Sequence, residues 1–216
     1  MNPRLSILAG AIAVGVIGIA STSNAAPITY NFTGPTAGTN VDLGQSEVYS
    51  ASGGPNLTAM AGTYSGSAPP SNNDGFNTSS GVHLVGNDRG TDEQGVGVCI
   101  TSSSLCSGSN LNGDIGEIDR DSEEAVRLDI GPLFASFGSF VLNADSVTDG
   151  EVLRVFQSSS STNIGTFLID ISDGNNTAIN PTQNFLYFVS FANTGGENVL
   201  LHSLTVTPNG VPGPRV

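Results

Sequence analysis

Past residue 25 the apolar residues of this chain recur at every second position in short runs, never with the 3.6-residue period of an amphipathic helix. Val126, Leu128 and Ile130 fall on one side of such a run, and Ala125, Arg127 and Asp129 on the other. Phe167, Ile169 and Ile171 alternate with Thr166, Leu168 and Asp170. Leu200, His202, Leu204 and Val206 share a face near the C-terminus. The same pattern predicts strands over 28–32, 57–62, 82–85, 96–100, 137–142, 151–157 and 185–191. Asp149-Gly150, Asp173-Gly174 and Gly195-Gly196 read as turns, because glycine accepts the positive φ that tight hairpins need. About ten short strands separated by turn residues predict an all-β fold, a two-sheet antiparallel sandwich with jelly-roll connections. Its aromatic core is expected from Phe140, Phe156, Phe167, Phe185, Tyr187 and Phe191. Two segments read as loops: 65–80, with Pro69-Pro70 and Asn72-Asn73-Asp74-Gly75, and the serine-rich 101–112.

The N-terminal residues follow a different pattern. Arg4 precedes an uncharged apolar run from residue 7 to 20, and Ser23-Asn24-Ala25 puts small residues at the −3 and −1 positions of a signal peptidase site. The run is shorter than the roughly 20 residues that span a bilayer. Residues 1–25 are therefore expected to be a cleaved signal peptide, 26–206 one β-sandwich domain, and 207–216 a disordered tail dense in turn-formers. Nothing after residue 25 is long and apolar enough to predict a membrane span, so the mature chain is expected to be exported and soluble, extracellular or in the cell envelope.

Charge narrows the partners. The formal net charge is −13, all basic residues are arginine, and tryptophan is absent. Such a balance repels nucleic acid and anionic lipid. The two cysteines, Cys99 and Cys106, are an even count in a chain read as exported, which predicts one structural disulfide.

The densest candidate chemistry lies in residues 114–124. Asp114, Glu117, Asp119, Asp121, Glu123 and Glu124 crowd there, offset only by Arg120. Asp119, Asp121 and Glu123 alternate, so an extended backbone would aim them to one side. Such oxygen ligands suit calcium, with Asp114, Glu117, Asp119 and Asp121 as the candidate ligands. An EF-type register fails, because counting from Asp119 puts Glu124 where glycine is required and Ile130 where the bidentate glutamate belongs. The competing reading is a solvated acidic loop. His83 and His202 lie in predicted strands, where a hydrogen-bonded, half-buried imidazole is the expectation. No G-x-S-x-G elbow and no H-E-x-x-H motif occurs, and no residue is assigned a catalytic role. Without tryptophan, a sugar platform would have to use another aromatic such as Tyr49 or Tyr64, and nothing in the sequence selects either.

Val96-Gly97-Val98, Glu117-Ile118-Asp119 and the following Glu124-Ala-Val-Arg-Leu-Asp-Ile130 resemble a recurrent segment of bacterial exported proteins that bear PEP-CTERM sorting signals. The Tyr30-Asn31-Phe32 opening strand fits the same group. The family's sorting signal runs V-P-E-P, an apolar helix and arginines. Here Val211-Pro212-Gly213-Pro214-Arg215-Val216 stands in its place, with Gly213 where glutamate belongs, so a degenerate or truncated signal and release from the cell are expected. The resemblance implies a non-enzymatic exported β-sandwich associated with envelope components or exopolysaccharide. Two further readings stay open: a calcium-assisted carbohydrate-binding module using the 114–124 loop, and a secreted hydrolase.

Overall fold

The structure, a computed structural model, describes residues 25–34, 39–66, 70–89, 93–100, 106, 116–145, 151–172, 175–192 and 198–209. Residues 1–24, which hold all but the last residue of the expected signal peptide, lie outside these residues, as do Asp114, the three turn dipeptides and the chain beyond Asn209. Along the described chain the strands are β1 (Ile28–Asn31), β2 (Thr39–Gly44), β3 (Ser46–Tyr49), β4 (Leu57–Tyr64), β5 (Phe76–Asn77), β6 (His83–Asp88), β7 (Gln94–Cys99), β8 (Ile118–Asp119), β9 (Glu124–Asp129), β10 (Phe137–Asp145), β11 (Glu151–Ser158), β12 (Thr166–Ile171), β13 (Thr177–Ile179), β14 (Phe185–Ala192) and β15 (Asn198–Pro208). One 3₁₀ turn at Gly131–Leu133 joins β9 to β10.

These strands form two antiparallel sheets. The first runs β13-β10-β15-β7-β6-β2, with β1 and β8 also paired to β15; the second runs β12-β11-β14-β9-β4-β3, with β5 on β4. From β7 onward the chain crosses between sheets at almost every step. It places β7, β8, β10, β13 and β15 in the first sheet and β9, β11, β12 and β14 in the second, so that only the β7–β8 connection and the β11–β12 hairpin stay in one sheet. The resulting order, β7-β15-β10-β13 facing β9-β14-β11-β12, is jelly-roll connectivity. The N-terminal strands widen both sheets.

Period-two alternation supplies the core. Val126, Leu128 and Ile130 are fully buried between the sheets with Leu186, Phe188, Leu153, Val155, Leu142 and Leu204. The partner face of the second sheet is covered as well. Segments 71–77 and 159–165 fold over it, joined by Ser65 N–H to Gly75 O (2.9 Å), Phe76 N–H to Thr162 O (2.9 Å) and Ile164 N–H to Asp74 O (2.9 Å). Beneath them Tyr64, Phe76, Ala125, Phe156, Ile164, Tyr187 and Val189 make a second apolar cluster. Of the 65–80 segment, expected to be a loop, the described residues 70–80 carry the short strand β5 and a buried Phe76.

Two expected faces change where the strand register shifts. Val155 pairs with Ile169 but Phe156 pairs with Phe167, so Leu168 is an extra residue in β12. A bulge of this kind turns the side chains beyond it to the opposite face. Ile169 and Ile171 pack toward the main core as expected, whereas Phe167 leaves it and is 47% exposed. In β15 the register jumps from Asn143–Ser203 to Ala144–Leu201, making His202 the extra residue. Leu201 therefore takes the core position that the alternation assigned to Leu200. The remaining expected core aromatics divide: Phe140 joins the main core, Phe156 and Tyr187 the second cluster, and Phe185 and Phe191 are only half-buried. The sandwich also runs past residue 206, since β15 continues to Pro208 and Asn209 N–H donates to Ser136 O (2.8 Å).

Candidate functional site

The acidic segment forms a tight turn between β8 and β9, and its carboxylates do not share a face. Asp119 accepts Asp121 N–H on one oxygen (2.8 Å) and Ser122 Oγ on the other (2.8 Å), closing the turn locally. Glu123 has φ +56° and its N–H donates to Arg120 O (3.0 Å). The backbone is therefore curled where an extended chain was expected. Asp121 points outward, 67% exposed and paired with Arg120 (3.2 Å). Glu117 and Glu124 are buried. The turn is held to β4 by Tyr64, whose hydroxyl donates to Arg120 O (3.2 Å) and whose N–H donates to Glu123 O (2.8 Å). Among the described residues no three acidic, histidine or cysteine side chains stand together as a metal site, so Glu117, Asp119 and Asp121 are not gathered into one. Since no such group of ligands stands together among the described residues, millimolar calcium is expected to leave Tm unchanged in a thermal melt. A rise of several degrees would show that calcium binds the folded chain.

Glu124 is a strongly perturbed carboxyl. Burial pushes it well above the usual carboxylate range, and the Asp119 N–H it accepts (2.9 Å) offsets this only in part. A raised folded value means that the folded state holds the proton more tightly. The associated stability is complete below about pH 4.3 and declines as pH rises through the elevated value. Glu124→Gln keeps an acceptor for Asp119 N–H without the charge. It is expected to raise Tm at neutral pH and to flatten the decline above about pH 4.3. A melt series from acid to neutral pH that ran parallel to the parent protein would refute this. His83 adds a second decline at higher pH. Its Nδ1 lies 2.9 Å from Asp42 and its Nε2 3.2 Å from Ser80 O, and chiefly the Asp42 hydrogen bond raises its value. That contribution is lost as pH rises through the raised imidazole value, and Glu124→Gln leaves it in place.

The disulfide is formed. Cys99, at the end of β7, is bonded to Cys106 with a Cα–Cα distance of 5.9 Å, and the pair packs on Val85. Beside it, β7 needs a glycine at 97. A Cβ there would overlap the Gly116 carbonyl and the Glu117 backbone, so only glycine lets segment 116–117 press against the strand. The Val96-Gly97-Val98 and Glu117-Ile118-Asp119 segments singled out in the sequence are thus direct neighbours, joined by Val98 N–H to Glu117 O (3.3 Å).

A cleft that sequence reasoning missed lies on the outer face of the second sheet. It is open, about 330 Å³ in volume, and lined by Pro70, Ser71, Asn72, Arg154, Phe156 and Phe167. The β12 bulge creates it by placing Phe167 opposite Phe156, edge to face at 6.1 Å. The next outward pair is Arg154 and Asp170, joined by two parallel bonds of 2.8 Å from Nε and Nη2. The Arg154 guanidinium also lies over two rings, 3.5 Å from the Phe191 centroid and 5.2 Å from that of Phe167. Asn72 is fixed at the rim by accepting Phe167 N–H (2.9 Å). Gly165 leads into β12 with φ +77°, and a Cβ there would overlap the Gln157 carbonyl. A few polar groups are thus held rigidly beside an exposed ring. That arrangement can bind and orient a ligand that is part apolar and part hydroxylated. The only trace of it in the sequence is Phe167 itself, which alternation had assigned to the core.

In comparisons with protein-family models, curated proteins and solved structures, nothing matches the chain.

Proposed function

We propose that this protein is a non-enzymatic, exported β-sandwich of the cell envelope or extracellular matrix, which associates with polysaccharide through the Arg154–Phe167 cleft. The observation that carries the reading is the exposed Phe167 ring beside the fixed Arg154–Asp170 pair. A half-exposed aromatic ring at the edge of a shaped cleft offers an apolar platform next to fixed polar groups. Sugar rings offer a C–H face for the aromatic and hydroxyls for the polar rim. Three further points support export and a matrix setting: the Cys99–Cys106 disulfide suits an oxidising compartment, the N-terminal segment reads as a signal peptide, and the Glu117-Ile118-Asp119 region resembles PEP-CTERM proteins.

Affinity electrophoresis of the purified chain through gels containing soluble bacterial exopolysaccharide tests this reading. Retardation is expected, without release of reducing ends during prolonged incubation. Unretarded migration through every polysaccharide gel would overturn the binding role, and steady release of reducing ends would overturn the non-enzymatic one.

A further inference from the structure

Resting on that polysaccharide reading, we infer that the cleft selects neutral sugar rings over uronates and other anionic glycans. The reason is the state of Arg154. A free arginine fork would be the natural partner for a sugar carboxylate. Here the fork is already matched, with Nε and Nη2 each 2.8 Å from separate oxygens of Asp170. The guanidinium lies over the Phe191 and Phe167 rings, so swinging toward another anion would give up these cation–π contacts as well as the Asp170 pair. A uronate would have to displace Asp170, leaving that carboxylate unpaired beside the incoming one. The net charge of −13 adds long-range repulsion against any polyanion.

What the paired site still offers suits hydroxyls. Asp170 retains lone pairs and Arg154 retains N–H donors, because a carboxylate accepts at about four lone-pair positions and a guanidinium donates from five N–H groups. Asn72 and Ser71 also line the cleft, and Phe167 supplies the apolar platform. A volume of about 330 Å³ lies at the lower end of the roughly 300–1,000 Å³ typical of ligand pockets, enough for one or two sugar units and not for a long groove-bound chain. The groups are fixed before the ligand arrives, so little ordering cost accompanies binding.

The experiment is titration calorimetry with neutral hexasaccharides (maltohexaose, cellohexaose and laminarihexaose) against oligogalacturonate of equal length. It uses the parent chain and the Phe167→Ala, Phe167→Tyr and Asp170→Ala variants. At least one neutral oligosaccharide is expected to bind and oligogalacturonate not to. Phe167→Ala should weaken that binding by about tenfold or more, and Phe167→Tyr should restore it, as stacking requires. Asp170→Ala frees the Arg154 fork and is expected to gain oligogalacturonate binding, an outcome that a merely structural Asp170 would not produce. Thermal melts check that each variant is folded. Preference of the parent chain for oligogalacturonate, or neutral binding untouched by Phe167→Ala, overturns the inference while leaving the polysaccharide reading intact. Failure to bind any of these sugars overturns the inference, and the broader reading then falls only if polysaccharide gels also fail to retard the chain.

Discussion

Phe188→Ala is expected to destabilise the fold by about 3–5 kcal/mol, the usual cost of removing a buried phenylalanine ring. Phe188 is completely buried in the main core. It sits in β14, paired with Val155 of β11 on one side and Val126 of β9 on the other. The strand is central to the second sheet, so no edge can relax into the space left by the ring. At the 2–4 °C per kcal/mol typical of roughly 150–250 residues, Tm should fall by about 6–20 °C. The contrast is Phe167→Ala in the same sheet. Its ring is half in water, so that variant should stay within a few degrees of the parent protein. Thermal melts of the two variants side by side decide the matter. Equal losses would mean that Phe167 is a core residue after all.

Removal of the disulfide is the second large effect. Cys99 and Cys106 are separated by 7 positions, and in the chain-entropy model a loop that short is worth about 2.5 kcal/mol. The double variant Cys99→Ala/Cys106→Ala also loses the sulfurs packed on Val85, where both half-cystines are buried. A drop in Tm of about 5–10 °C is expected. Reductant should lower the parent protein's Tm toward that of the variant and leave the variant unchanged. Because Cys99 ends the strand that presses on Gly116 and Glu117, the loss should appear first as faster amide exchange in segment 116–119. A melt indistinguishable from the parent protein would show that the bridge constrains nothing the fold needs. Neither change touches the Arg154 cleft, so glycan binding by the folded fraction should persist.

Much of the scaffold was legible along the chain. The Val126, Leu128 and Ile130 alternation is local chemistry, and those residues lie between the sheets as their spacing implied. The jelly-roll order is harder to read, yet the strand count and the turn spacing pointed to it. Short strands with mixed surroundings were missed. Thr39–Gly44, Ser46–Tyr49 and Thr177–Ile179 lie at or near sheet edges and carry no clean apolar face, so their pairing partners define them. The acidic turn was legible as composition and misread as shape. Whether Asp119 gathers a cation or caps a turn depends on the φ of Glu123 and on Tyr64, some sixty residues away in the chain.

By itself the sequence determined the all-β class, the main inward faces and the pairing of its two cysteines, since alternation and cysteine count depend on residues near one another. The tertiary structure alone decided where the register slips. The extra residues Leu168 and His202 are ordinary strand residues until β11 and β10 pair with their neighbours and leave them unmatched. A one-residue slip reverses every side chain beyond it. That reversal moved Phe167 from the expected core to the surface, set it beside Arg154 and Asp170, and made a cleft from residues whose positions in the chain do not predict their contact.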